Sequence, residues 1–117
     1  MLIHMPATSK DLRILRMHAE LCKTLANPIR LELLGLLRDG GRSVSELTVL
    51  TGVAQATVSQ HLAVLRQRGV VSTRKEGVNV HYEIINPKMI KACDLIREVL
   101  FEQLAEMEKL AKSEAAA

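Results

Sequence analysis

The chain has 117 residues, 48% of them hydrophobic, and 16 Lys and Arg against 13 Asp and Glu give it a net charge of +3. That length suits one domain, residues 1–117, with enough apolar material for a core, and a single Tyr and a single Phe make that core aliphatic. No run nears the ~20 apolar residues of a membrane span, and MLIHMPATSK lacks the basic start and long apolar stretch of a secretion signal, so a cytoplasmic protein with reduced cysteines is expected.

Residues 1–8 read as a frayed end, with His4 and Met5 only a remote copper pair. Ser9 can cap a first helix over about 10–25. It bears two apolar stripes, Leu12, Leu15, Ala19, Cys22 and Ile14, Met17, Leu21, Leu25. A surface that wide suggests contact on two sides, one with the chain's own core and one with a partner. Asn27 caps a second helix with Pro28 at its first position, where a missing N–H costs nothing. Ile29, Leu31, Leu33, Leu34, Leu36 and Leu37 make it apolar nearly all round, the expected buried centre. Arg30 should lie at its edge with a packed stem, and Asp39-Gly40-Gly41 ends it.

Ser43 followed by Glu46 forms a capping box, which starts a short helix at Val44 that Thr51-Gly52 breaks. Another helix runs from about Gln55 to Gln67 with Val58, Leu62 and Leu65 as its inward stripe. The opposite face carries Ala56, Ser59, Gln60, Ala63 and Gln67, with Thr57 to one side: small, uncharged and rich in short hydrogen-bonding groups. A solvated face more often carries Lys and Glu, whereas a face that meets base edges in a major groove has this character. Gly69 stops the helix, Val70–Thr73 is strand-like, Glu76-Gly77 makes a turn, and Val78, Val80, Tyr82 alternate with Asn79, His81, Glu83 as a half-buried second strand with His81 outward. Arg74 and Lys75 sit just before the hairpin tip, within reach of phosphates. The fold read here is mainly α with a small β-hairpin wing: a winged helix-turn-helix.

Asn86-Pro87 opens the last helix, about 87–112, with a seam of Met89, Cys93, Ile96, Leu100, Leu104, Met107 and Ala111; residues 113–117 read as frayed. So long a seam exceeds what one small domain can cover, and pairing with a second copy is the natural solution. The interface is then expected at Leu15, Cys22, Met89, Cys93, Ile96, Leu100 and Leu104. From Gln55 to Lys88 five cations face two carboxylates, while from Phe101 onward two face four, so the positive end is the helix-turn-helix and wing.

Asn27-Pro28-Ile29-Arg30-Leu31, Ser43-Val44-Ser45-Glu46-Leu47, Val58-Ser59-Gln60-His61-Leu62-x-x-Leu65 and Gly77-x-x-x-x-Tyr82 together resemble the ArsR/SmtB family of bacterial and archaeal winged-helix repressors, over about residues 12–105. The resemblance implies a homodimer, joined through first and last helices, that occupies a pseudo-palindromic operator in double-stranded DNA and leaves it when a metal ion, metalloid or oxidant binds. One departure is Ala54, where family members often cap the reading helix with Ser or Thr. The family's two best-known metal sites map onto Ser45 and Leu47, which carry no thiol, and onto Asn86, Lys88, Val99 and Glu102, of which three cannot bind zinc as the pattern requires.

What remains for an effector is Cys22 and Cys93, with His18 four residues before Cys22. Such thiols can form a disulfide or polysulfide bridge, or hold a thiophilic metal or metalloid, or they can be inert core residues. On the DNA side the expected residues are Gln55, Ala56, Thr57, Ser59, Gln60 and His61 at the reading helix, with packing an alternative for His61, and Arg66, Arg68, Arg74, Lys75 and Lys88 on phosphates. A winged-helix protein-interaction module is the alternative of another class. An enzyme has little support, with no glycine-rich phosphate loop and no nucleophile–base or paired-carboxylate grouping.

Overall fold

The computed structural model describes residues 9–116, so the readings for His4 and Met5 lie outside the described residues. The chain separates into two compact units, one ending at Ile85 and one beginning at Asn86.

In the first unit, helices α1 (Ser9–Leu25), α2 (Pro28–Leu36), α3 (Val44–Thr51) and α4 (Gln55–Gln67) combine with strands β1 (Arg42–Ser43), β2 (Val71–Glu76) and β3 (Asn79–Ile84). The starts of α2 and α3 and the end of α3 fall where the sequence marks them, whereas α2 ends at Leu36, before Asp39-Gly40-Gly41. Asn27 Oδ1 accepts from the backbone N–H of Ile29 (2.9 Å) and Arg30 (3.2 Å). At α3 both halves of the capping box form, at 3.1 Å and 3.0 Å, and Gly52 closes the helix in the left-handed region at φ 69°. The core is Leu33, Leu34, Leu37, Leu47, Val58, Leu62, Leu65, Val70 and Val71, all nearly sealed from solvent. Each such side chain stabilises the fold by about 1.5–3 kcal/mol, and Val58, Leu62 and Leu65 are the side chains by which α4 is seated in this core.

Four expectations need correction here. The wing is a three-stranded antiparallel sheet in the order β1-β3-β2 rather than a hairpin alone, since Arg42 and Ser43 pair with Tyr82 and His81. Its turn is Gly77-Val78, one residue later than expected, because Glu76 pairs with Asn79. Gly77 at φ 61° supplies the positive φ that the first turn position needs, which leaves Val78 94% exposed at the tip instead of half-buried in a strand. His81, expected outward, is half-buried beside Glu76, because β3 is the central strand and is flanked on both edges. On α2 and its C-cap, Leu33, Leu34 and Leu37 are buried but Ile29, Leu31 and Leu36 only half so.

Helix α1 departs most from its reading. Every described side chain from Asp11 to Glu20 is exposed, and only Thr24 near its end is buried. The expected own-core stripe is therefore reduced to the last turn, and both apolar stripes face outward.

The second unit is helix α5 (Lys88–Ala116). Asn86 Oδ1 accepts from the Lys88 N–H at 3.0 Å, so the helix begins one residue after Pro87. It also continues four residues past Lys112, where the expected fraying gives way to Ser113-Glu114-Ala115-Ala116, whose alanines favour helix. On α5 Met89 and Cys93 are half-buried, while Ile96, Leu100, Leu104 and Met107 are exposed. Leu95, Val99, Phe101 and Leu110 are exposed on the same helix.

Candidate nucleic-acid interface

Helix α4 presents two chemically opposite sides. Val58, Leu62 and Leu65 are fully buried, while Gln55, Ala56, Gln60, Ala63 and Gln67 are exposed and Thr57 and Ser59 half-buried at the margin. The outward side carries no charge before Arg66, so a polar partner would meet only hydroxyl, amide and methyl groups. Its first turn is not capped: Ala54 offers no side-chain hydrogen bond, and the first helical bond runs from Val58 N–H to Ala54 O at 3.0 Å. The amides at the start of α4, with the positive end of the helix dipole behind them, are thus oriented toward whatever approaches that end.

The helix is also held from the side by a contact that sequence reasoning missed. Arg30 Nε donates to His61 Nδ1 at 3.1 Å, and Arg30 Nη1 donates to the Thr24 carbonyl at 3.0 Å. One guanidinium therefore ties the end of α1 and the first turn of α2 to the middle of α4. The bond requires His61 Nδ1 to be the acceptor, so the imidazole proton sits on Nε2. His61 is half-buried against Arg30, which favours the packing alternative over phosphate contact. Arg30 within Asn-Pro-Ile-Arg, a charge at the start of an apolar helix, was the signal available.

The basic residues scatter differently from a single phosphate-gripping row. Arg66 and Arg68 lie at the far end of α4, about 18 Å from its first turn by helical rise, and Arg68 Nη1 is 3.9 Å from Glu20 Oε2 on α1. On the wing, Arg74 is engaged by Glu76 and by Glu83 (3.4 Å), and His81 Nε2 lies 3.5 Å from Glu76. The hydrogen bond from Arg74 holds the Glu76 carboxyl below its ordinary range, and the same contact raises the Arg74 guanidinium. The Ser43 backbone N–H similarly lowers Glu46. Lys75 is exposed and, among the described residues, makes no ion pair. Lys88 is exposed at the start of α5 in the second unit.

The effector candidates lie on the two helices with outward apolar faces: Cys22 is exposed on α1, and Cys93 is half-buried on α5. His18 is exposed on α1. Among the described residues no three His, Cys, Asp or Glu side chains gather where they could hold a metal ion, and no helix is long and apolar enough to cross a membrane.

Comparison with known proteins follows the same outline. Residues 27–73, the span from α2 into β2, match the family described as bacterial regulatory protein, arsR family. The chain is 38% identical over 92 residues to the HTH-type transcriptional regulator Rv0081 of Mycobacterium tuberculosis, covering 78% of this chain and 81% of that protein. It is 36% identical over 85 residues to the biofilm growth-associated repressor of Xylella fastidiosa, covering 73% and 75%. Among solved structures, the homodimeric winged helix-turn-helix DNA-binding domain of Mb0332 from Mycobacterium bovis superposes with a TM-score of 0.74 at 31% identity, over 86% of this chain and 94% of that one.

Proposed function

This chain belongs to the ArsR family of bacterial regulatory proteins, and from that premise we propose that it is a homodimeric transcriptional repressor whose α4 enters the major groove of an operator. The observation that carries the reading is the exposed, uncharged outer side of α4, backed by a buried apolar side and led by a first turn without a side-chain cap. Gln55, Thr57, Ser59 and Gln60 offer donors and acceptors to base edges, and Ala56 offers a methyl-sized contact. Lys75 on the wing supplies a phosphate contact, and the first-turn amides of α4 can supply another. Arg74 takes part only by leaving its two carboxylates. A protein acting on the genome of a bacterium works in the cytoplasm, and the two units form one regulator.

Fluorescence anisotropy on duplex from upstream intergenic DNA, at two salt concentrations, tests this. Affinity should fall steeply with salt; a flat response would favour the protein-interaction alternative. Gln60→Ala should cost about 1–3 kcal/mol and relax specificity, whereas Lys75→Ala should weaken all sequences alike and reduce the salt slope by about one. Unchanged operator binding by Gln60→Ala would show that the reading face is elsewhere.

Release from the operator we assign to thiol chemistry at Cys22 and Cys93. Its support is the exposure of the Cys22 thiol and the position of both cysteines on helices with unpaired apolar faces, where oxidation or a thiophilic metalloid, with His18 as an added donor, would alter subunit pairing. Non-reducing electrophoresis after mild peroxide or polysulfide should reveal a crosslink or a mass shift. Intact induction in a Cys22→Ser/Cys93→Ser protein would rule the idea out.

A further inference from the structure

An open groove of about 660 Å³ runs between α1 and the end of α4. Arg13 and Arg16 line it from α1, Arg68 lines it from α4, and Met17 and Leu21 form its apolar part. Among the described residues Glu20 is the one carboxylate in the lining, and it is shared: one oxygen is 3.9 Å from Arg68 and the other 3.8 Å from Lys23. Among the described residues no ion pair engages Arg13 or Arg16, so three guanidinium groups line the groove with a single carboxylate that is already shared. Cations near a helix C-terminus gain from the dipole, which accounts for Arg68. Arg13 and Arg16 lie in the first half of α1 and gain nothing in that way.

We propose that this groove binds a small organic dianion, a phosphate monoester or dicarboxylate with an apolar body. Arg13 and Arg16 would clamp the charged group, since the planar guanidinium matches phosphate and carboxylate oxygens two at a time. The exposed side chain of Met17, with Leu21, would cover the apolar body, and the volume falls within the range of small-molecule sites, roughly 300–1,000 Å³. The phosphates of DNA are the less fitting source of charge, because the reading end of α4 is its first turn and the groove lies at its last. A ligand held here bridges α1 to the helix that carries the reading face; its effect on operator affinity rests on the DNA-binding reading, but its binding does not.

Titration calorimetry of the full chain without DNA tests the site directly, with hexyl phosphate, suberate, inorganic phosphate and hexanol as probes. Hexyl phosphate or suberate should bind at least tenfold more tightly than inorganic phosphate, hexanol should not bind, and whichever of the first two is tighter identifies the anionic group. Arg13→Gln/Arg16→Gln should lose tenfold or more in that affinity, and Met17→Ser should erase the advantage of the apolar body. No heat at millimolar hexyl phosphate and suberate, or equal affinity in the Arg variant, overturns the proposal. So does uniformly weaker DNA binding by the ligand-free Arg variant with a flatter salt slope, which would make the groove a DNA surface. A shift of that variant's self-association in sedimentation would give the groove to a second copy, and overturns it equally.

Discussion

At the residue scale the informative group is His61, whose type suggests a ligand or a phosphate contact and whose geometry makes it a fastener. Its Nδ1 is the acceptor for Arg30 Nε at 3.1 Å. Removing an acceptor from a half-buried charged donor costs about 1–3 kcal/mol, and the lower part of that range applies because Arg30 keeps the Thr24 carbonyl. His61→Leu is therefore expected to lower unfolding free energy by about 1–2 kcal/mol in chemical denaturation. Asn carries its oxygen near the position of Nδ1, so His61→Asn should recover most of the loss. A phosphate-binding His61 would give another pattern, with both variants binding DNA more weakly at unchanged stability. Packing was one of the two roles the sequence left open for this residue, but its partner is 31 positions away, and only the charge of Arg30 at the start of an apolar helix hinted at a pairing.

At the element scale, the helices were legible because their boundary signals are local. Asn27-Pro28, Ser43 with Glu46, Thr51-Gly52 and Asn86-Pro87 each act within a few residues, and each operates where it was read. The sheet was less legible. Strand β1 is only Arg42–Ser43, too short to show a period, and it exists because β3 offers it a free edge. Val78 looked like a strand residue by its β-branch, yet the positive φ of Gly77 fixes the turn one step later. The anomaly the sequence did expose is Ala54, and it persists in the structure as an uncapped start to α4 with backbone φ −55° and ψ 139°. That backbone accepts a serine without rearrangement. Ala54→Ser should then stabilise the fold by about 1 kcal/mol, read as a raised midpoint in thermal unfolding. No gain would mean that the first-turn amides are already satisfied.

At the scale of the whole molecule, the apolar surface exceeds what a solitary chain would keep in water. Ile14 and Leu15 on α1 and Ile96, Leu100, Leu104 and Met107 on α5 are each more than half exposed. Contiguous exposed apolar faces of this kind mark association sites, and the 29-residue α5, about 44 Å long by helical rise, offers a seam suited to a copy of itself. On the proposed reading a dimer would present two α4 helices to half-sites about 34–36 Å apart, and the second contact would then form at the high effective concentration set by the first. Placing two carboxylates in the seam, Leu100→Glu with Leu104→Glu, would cost several kcal/mol on burial, roughly the penalty for an unpaired charge. The variant should sediment as a monomer while its first unit, whose core lies elsewhere, retains its cooperative unfolding. Its affinity for a two-half-site operator should fall about a hundredfold or more, the lower end of what linking two contacts supplies, toward that for a single half-site, with little change on the half-site itself. A variant that remained dimeric would place the interface away from this seam, and a monomer with undiminished operator affinity would remove the pairing of reading heads from the mechanism.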